Sequence, residues 1–218
     1  MEFKMIIKCI PGGMFLTNCY IIGDEETNKA ILIDPGEQIE DILMEVERSG
    51  LDITKIVNTH THIDHVAGAV EAIKALGVGF YIHPEEEPVL QALPESAMRF
   101  PQFGDVSAPE IEGYIEEGDE VEIGNLRAKV LHTPGHTWGG VCLVIGDQVI
   151  SGDTLFAGSV GRVDLTGGTS MRELVRSIKT KLMVLPDSFV VHPGHGPSTT
   201  IGIERRSNPF LTGDLIML

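Results

Sequence analysis

The chain has 218 residues, 42% of them apolar, and a formal net charge of −16. That is enough apolar surface for one substantial core and too much negative charge to favour nucleic-acid phosphates or anionic lipid as partners. No stretch approaches the roughly 20 apolar residues that span a bilayer, and the opening MEFKMIIKCIPGG run, interrupted by Lys8 and Pro11, is too short for a secretion signal.

Residues 3–10, 16–23 and 29–34 are short β-branched or apolar runs separated by Pro11-Gly12-Gly13 and Gly23-Asp24, which predicts an antiparallel meander. Ile39, Ile42, Leu43 and Val46 repeat at helical spacing within 37–49, and Gly50 stops the helix. A strand is expected at Ile53–Val57, a helix over Val66–Leu76 and a parallel strand at Phe80–Ile82. Residues 84–113, rich in Pro and Glu with weak periodicity, read as a long loop forming a wall of a substrate pocket. Strands follow at 120–123, 126–131, 140–145 and 148–151, turned by Gly124-Asn125 and Gly146-Asp147. Ser170 and Glu173 form a capping box for a helix that buries Leu174, Ile178 and Leu182, and Phe189–Val191 is the last strand. With no repeat or linker between the two mixed halves, residues 1–218 are expected to form one α/β domain, a sheet-on-sheet sandwich with outer helices. Cys9, Cys19 and Cys142, odd in number and set among apolar neighbours, read as reduced core thiols, and a cytoplasmic location is the expectation.

The segment His60-Thr61-His62-Ile63-Asp64-His65 packs three imidazoles and a carboxylate into six residues, between the carboxyl end of one element and the start of the next. If it is extended, His60, His62 and Asp64 point to one side and His65 is turned elsewhere by the following helix, so one segment can serve two metals. Thr133-Pro134-Gly135-His136, Ser151-Gly152-Asp153-Thr154 and His192-Pro193-Gly194-His195-Gly196 each follow a predicted strand, which brings His136, Asp153 and His195 to the same sheet edge as further ligands. The absence of a CxxC pair argues against a thiolate zinc site.

The ordered set His-x-His-x-Asp-His, TPGH, SGD and PGHG, spread over roughly residues 16–210, resembles the metallo-β-lactamase superfamily, and within it the shorter bacterial members of the glyoxalase II group. The resemblance implies an αββα sandwich in which His60, His62 and His136 hold a first metal, Asp64, His65 and His195 a second, and Asp153 bridges them. Zinc is the expected metal, with iron or manganese compatible with the same N/O donors. Two such cations acidify a bridging water to a nucleophilic hydroxide, which Asp64 would orient. No spare general acid is evident, and a thiolate of pKa about 8.5 leaves without one, so a thioester substrate is chemically coherent and matches what the resemblance implies, hydrolysis of S-lactoylglutathione or a related S-acyl thiol.

Two departures bear on the thiol. The glyoxalase II group carries a further C-terminal helical region, whereas 23 residues follow His195 here, and its Gly-Lys-Phe-Tyr run is Gly161-Arg162-Val163-Asp164. Arg162 is expected either to clamp a substrate carboxylate or to hold the metal loop through a salt bridge. His132 and His83 read as supporting residues, and Asp34-Pro35-Gly36 as a brace for the metal loops. The alternatives are a mononuclear iron persulfide dioxygenase and a lactonase.

Overall fold

Alternate residues of the first strands face two different cores in the computed structural model, which describes residues 4–213. β1 (Met5–Gly12), β2 (Thr17–Asp24) and β3 (Lys29–Ile33) form an antiparallel meander, as short connections require. The crossover helix α1 (Ile39–Ser49), closed by Gly50 at φ 67°, returns the chain to β4 (Asp52–Val57), parallel to β3. The short α2 (Ile63–Val66) and α3 (Ala69–Leu76) lead to β5 (Phe80–Ile82), again parallel. A 3₁₀ turn at Pro84–Glu86, α4 (Glu87–Gln91), α5 (Leu93–Arg99) and a second 3₁₀ turn at Pro101–Phe103 precede β6 (Gly113–Tyr114), which completes a sheet ordered β1-β2-β3-β4-β5-β6.

The second sheet follows from β7 (Glu120–Ile123), β8 (Leu126–His132), β9 (Val141–Ile145) and β10 (Gln148–Gly152), an antiparallel run. After the small hairpin β11 (Leu155–Phe156) and β12 (Ser159–Val160), α6 (Met171–Ser177) crosses back to β13 (Val190–Pro193), which lies parallel to β10. β14 (Thr199–Thr200), α7 (Ile201–Ser207) and α8 (Pro209–Thr212) close the described chain, and the sheet order is β14-β13-β10-β9-β8-β7.

The two sheets share a core. Tyr20, Ile22, Ile31 and Ile33 of the first meet Val130, Leu143 and Ile150 of the second. The alternate residues Cys19, Ile21 and Leu32 turn to the other face, under Ile42 and Val46 of α1 and Ala69 and Ala72 of α3. Val149 and Val191 likewise pack under Leu174, Ile178 and Ile201. These layers are the expected αββα sandwich. No helix among the described residues is long and apolar enough to cross a membrane.

Several sequence expectations are corrected. Residues 84–113 hold a chain of short helices, because Pro88, Pro94 and Pro101 sit at helix starts, where a missing N–H costs nothing. The helix expected over Val66–Leu76 begins earlier and is broken: α2 starts at Ile63, and Gly68, pressed against the Gly36 carbonyl, separates it from α3. Cys9 is exposed, since β1 is an edge strand, while Cys19 and Cys142 are buried. Ser170 does cap α6 by accepting from the Glu173 N–H, but the Glu173 carboxylate turns to Arg176.

Candidate metal centre

β4, β8, β10 and β13 deliver the predicted ligands at one edge of the sandwich: His60, His62, Asp64 and His65 follow β4, His136 follows β8, Asp153 follows β10, and His195 follows β13. The sheets are locked together there. Asn18 at the start of β2 donates to the Pro193 and Gly196 carbonyls at 2.9 Å, and Tyr20 donates to the Pro193 carbonyl at 2.7 Å. Gly194 has no room for a side chain: a Cβ would meet Asp153 Oδ1 and come within 2.7 Å of His65 Cε1.

At this edge His60 groups with His62 and His136, and Asp64 with His65 and His195, while Asp34 with His60 and His65 forms a third grouping that overlaps both. The extended-segment reading, which set Asp64 with His60 and His62 and turned His65 away, is therefore corrected. His62 is the extended N-cap of α2, and from Ile63 the backbone is helical, so the two-residue parity ends there and Asp64 joins His65. Asp153 lies between the groups, with Oδ2 3.6 Å from His136 Nε2 and 3.5 Å from His195 Nε2, and Oδ1 3.3 Å from His65 Nε2.

The outer hydrogen bonds fix which nitrogen of each ring faces inward. His136 Nδ1 donates to the Arg162 carbonyl (2.7 Å), His62 Nε2 to the Thr166 carbonyl (2.9 Å), and His195 Nδ1 to the Phe15 carbonyl (3.0 Å). His65 Nδ1 donates to Asp34 (3.0 Å). Thr59 Oγ1 gives its own proton to Asp34 at 2.6 Å and so accepts from His60 Nδ1 at 3.2 Å. Five imidazoles thus turn their inner ring nitrogens toward a common space. His62 Nδ1 stands 2.9 Å from His136 Nε2, His136 Nε2 stands 3.3 Å from His60 Nε2, and His65 Nε2 stands 3.3 Å from His195 Nε2. Facing lone pairs repel unless a cation lies between them. Asp153 Oδ1, buried and without a hydrogen-bond partner, adds an unanswered acceptor. The donor set fits metal ions.

The electrostatics divide the imidazoles into two kinds. Burial, reinforced by the adjacent imidazoles His65 and His136, holds His60 well below its usual pKa, and burial pushes His136 down to about 4. Burial opposes charge on Asp153 and Asp64, yet His65 and His195 outweigh it, leaving Asp153 far below the carboxylate range and Asp64 at about 2. His60 and His136 thus stand neutral beside ionised carboxylates, as ligation needs, whereas at His65 and His195 burial is outweighed by the facing Asp153 and Asp64 carboxylates, which raise His65 well above the usual imidazole range and His195 to about 9, so an ion entering that group displaces their protons.

Several residues that organise this site were not singled out from the sequence. Glu86, fully buried, accepts from Thr61 N (2.8 Å), Thr61 Oγ1 (2.9 Å) and Gly139 N (3.0 Å), tying the histidine segment to the loop that carries His136. Thr17 Oγ1 donates to Asp64 Oδ2 at 3.0 Å, and Asn58 Nδ2 donates to the carbonyls of His60 and His65. Asp34 braces as expected, accepting also from Thr59 N at 2.7 Å. His132 donates to the Trp138 carbonyl at 2.8 Å and stacks on His83 with centroids 4.1 Å apart. Arg205 is spent on the Met183 and Leu185 carbonyls, and Asn208 on Ser159 and Glu204.

The metal groups form the floor of a cleft of about 500 Å³. Its walls are Phe15, Ile63, Phe100, Phe156, Val160 and Leu165, with Ser96, Arg99, Arg162 and Thr166 as the other polar lining. α5 of the 84–113 segment thus forms part of the wall. Arg162 is gripped by Asp164, Nε to Oδ1 at 2.7 Å and Nη2 to Oδ2 at 2.8 Å.

Comparison with known proteins places this arrangement. The chain is 37% identical over 216 residues to hydroxyacylglutathione hydrolase GloC of Haemophilus influenzae, covering 95% of this chain and 98% of that protein. Among solved structures it is similar to BLEG-1 B3 metallo-beta-lactamase, with a TM-score of 0.87 and 34% identity over 95% of this chain and 100% of that one. It is also similar to TTHA1623 in a di-iron-bound form, with a TM-score of 0.82 and 38% identity over 94% of this chain and 100% of that one. The model of the metallo-beta-lactamase superfamily matches residues 12–215, and the chain belongs to that superfamily.

Proposed function

We propose that this chain is a binuclear metal-dependent thioesterase that hydrolyses S-lactoylglutathione or a related S-acyl thiol to a carboxylate and a free thiol. One observation carries the choice of leaving group: apart from the metal-facing residues, the described cleft lining contains no titratable acid, only Arg99 and Arg162 among charged groups. An amine or alkoxide leaving group requires a proton donor there, whereas a thiolate with a parent pKa of about 8.5 does not. The Haemophilus relative, named as a hydroxyacylglutathione hydrolase, supports the same substrate class.

His60, His62 and His136 would hold one ion, Asp64, His65 and His195 the other, and Asp153 both. When bound, divalent cations supply Lewis-acid polarisation of the acyl carbonyl and lower the pKa of water toward neutrality. Asp64 faces the cleft with Oδ2 anchored by Thr17, and orients the attacking water. The apolar walls give the acyl arm a surface to pack on, and Arg162 contributes to the substrate wall. Zinc is the metal this reading favours, with iron supported by the di-iron relative. A cleft of about 500 Å³ suits a small molecule rather than a polymer, and buried free thiols at Cys19 and Cys142 support a reducing, cytoplasmic setting.

The test is a panel of S-acyl thiols, lactones and a glutathione persulfide, assayed on protein of measured metal content. Thioester hydrolysis with two metals per chain supports the reading. One iron per chain with oxygen uptake on persulfide refutes it in favour of the dioxygenase, and preferential lactone turnover refutes it in favour of a lactonase.

A further inference from the structure

We infer that Arg99, on the insertion between β5 and β6, is the specificity-determining residue of the cleft, and that it selects substrates carrying a carboxylate at the end remote from the scissile bond. The inference rests on the thioesterase reading of the site. Two cations line the cleft, Arg99 and Arg162. They differ in what answers their charge. Arg162 is engaged bidentately by Asp164, which uses the fork geometry a substrate carboxylate would need. Arg99 is exposed and has no ion-pair or hydrogen-bond partner among the described residues, although Glu95 lies one helical turn before it. The Arg99 guanidinium, exposed and lining the cleft together with Phe15, Phe100 and Phe156, is therefore available to a ligand.

The surroundings give it a purpose. Phe15, at the tip of the β1–β2 hairpin, meets Phe100 edge-on at 5.6 Å and Phe103 at 5.9 Å, so the hairpin and the insertion join next to Arg99 at the cleft. The Phe15 carbonyl is also the acceptor for His195 Nδ1, which fixes this aromatic wall relative to the metal floor. A substrate whose acyl carbon reaches the floor leads its remaining arm along apolar wall toward a single free guanidinium. The chain carries a formal net charge of −16, so its distant field repels anions, but charges beyond roughly 8 Å are screened at physiological salt. A local unpaired arginine then decides whether an anionic end is accepted.

The test uses three S-acyl thiols on the metal-loaded protein: S-lactoyl-N-acetylcysteamine (neutral), S-lactoyl-3-mercaptopropionate (carboxylate on the thiol half) and S-succinyl-N-acetylcysteamine (carboxylate on the acyl half). Arg99→Ala is expected to raise KM about tenfold for a carboxylated substrate, with kcat and the neutral substrate changed less than about twofold. Arg99→Glu should penalise it further, and Arg99→Lys should recover part of the loss. The half of the substrate that responds identifies where the carboxylate belongs. Equal effects on all three substrates, or none on any, overturn the inference. If none of the three is hydrolysed, the thioesterase reading fails on its own. Arg99 is then judged by calorimetry with S-methyl-3-mercaptopropionate and its neutral amide: weaker binding of the acid alone in Arg99→Ala supports the inference, and unchanged binding overturns it.

Discussion

Asp34 holds the metal loops through one carboxylate, and replacing it tests whether those loops are built as described. Only 1% exposed, it accepts from Thr59 N at 2.7 Å, Thr59 Oγ1 at 2.6 Å and His65 Nδ1 at 3.0 Å. It does so at φ 52°, a left-handed conformation that Asn tolerates and Ala does not. The threonine hydroxyl can turn to another acceptor, but the Thr59 amide and the His65 N–H cannot. Each orphaned buried donor costs about 1–3 kcal/mol and the backbone strain about 1–2 more, so Asp34→Ala should lose about 3–8 kcal/mol of stability. Asp34→Asn keeps the backbone and one acceptor oxygen and should lose about 1–3 kcal/mol. Because His65 loses the partner that fixes its ring, metal affinity on the Asp64–His65–His195 side should fall about 10–100-fold in either variant. Denaturant unfolding of chelator-treated protein measures the first quantity and competition with a chromophoric chelator the second. Since total stability is about 5–15 kcal/mol, the alanine variant is near the limit of folding and the asparagine variant carries the affinity measurement. Wild-type affinity at both sites in Asp34→Asn, with the alanine variant as stable as wild type, would refute the bracing role.

Glu86→Ala should destabilise by about 3 kcal/mol and weaken metal retention, since it strands the Thr61 and Gly139 amides, and Glu86→Gln should recover part of both; thermal melts and metal analysis read the pair. Gly194→Ala should remain folded by circular dichroism yet retain less metal, because the new methyl group meets Asp153 and His65. Asp153→Ala should lose metal and activity together, and normal metal content with full activity would remove its bridging role. Burial, followed by the neighbouring His132, holds His83 down to about 4 against an opposing pull from Glu117. A folded pKa below the unfolded value means that unfolding takes up a proton, so the stability from neutral His83 is present above about pH 6.5 and is lost as pH falls toward 4. His83→Asn, which retains a side-chain acceptor for the Glu85 amide, should flatten that acid-side loss in unfolding curves.

The legibility of the site in the sequence followed from where each residue stands. His60, His136, Asp153 and His195 could be picked out because glycine, proline or strand ends flank them, leaving little for an imidazole or carboxylate to do but project from a sheet edge. Strand alternation alone groups Asp64 with His60 and His62, because it runs past Ile63, where a helical turn begins that no local breaker announces. Glu86 stayed hidden inside Pro-Glu-Glu-Glu-Pro, a run that reads as solvated; only the fold shows one of those acids turned inward onto two amides. The prolines of 84–103 signalled loop because a proline at a helix start and one in a turn look alike without the next turn's contacts. Phe15 and Arg99, far apart in sequence, become neighbours of one cleft through tertiary packing, which local pattern cannot convey.

The central claim is that two metal ions held by one chain hydrolyse an acyl thiol. Titrating metal into chelator-stripped protein while following S-lactoylglutathione hydrolysis, with bound metal counted by mass spectrometry, tests it most directly. Activity should rise to a plateau at two equivalents per chain. A plateau at one equivalent, or two bound metals with no thioester turnover, would contradict the account.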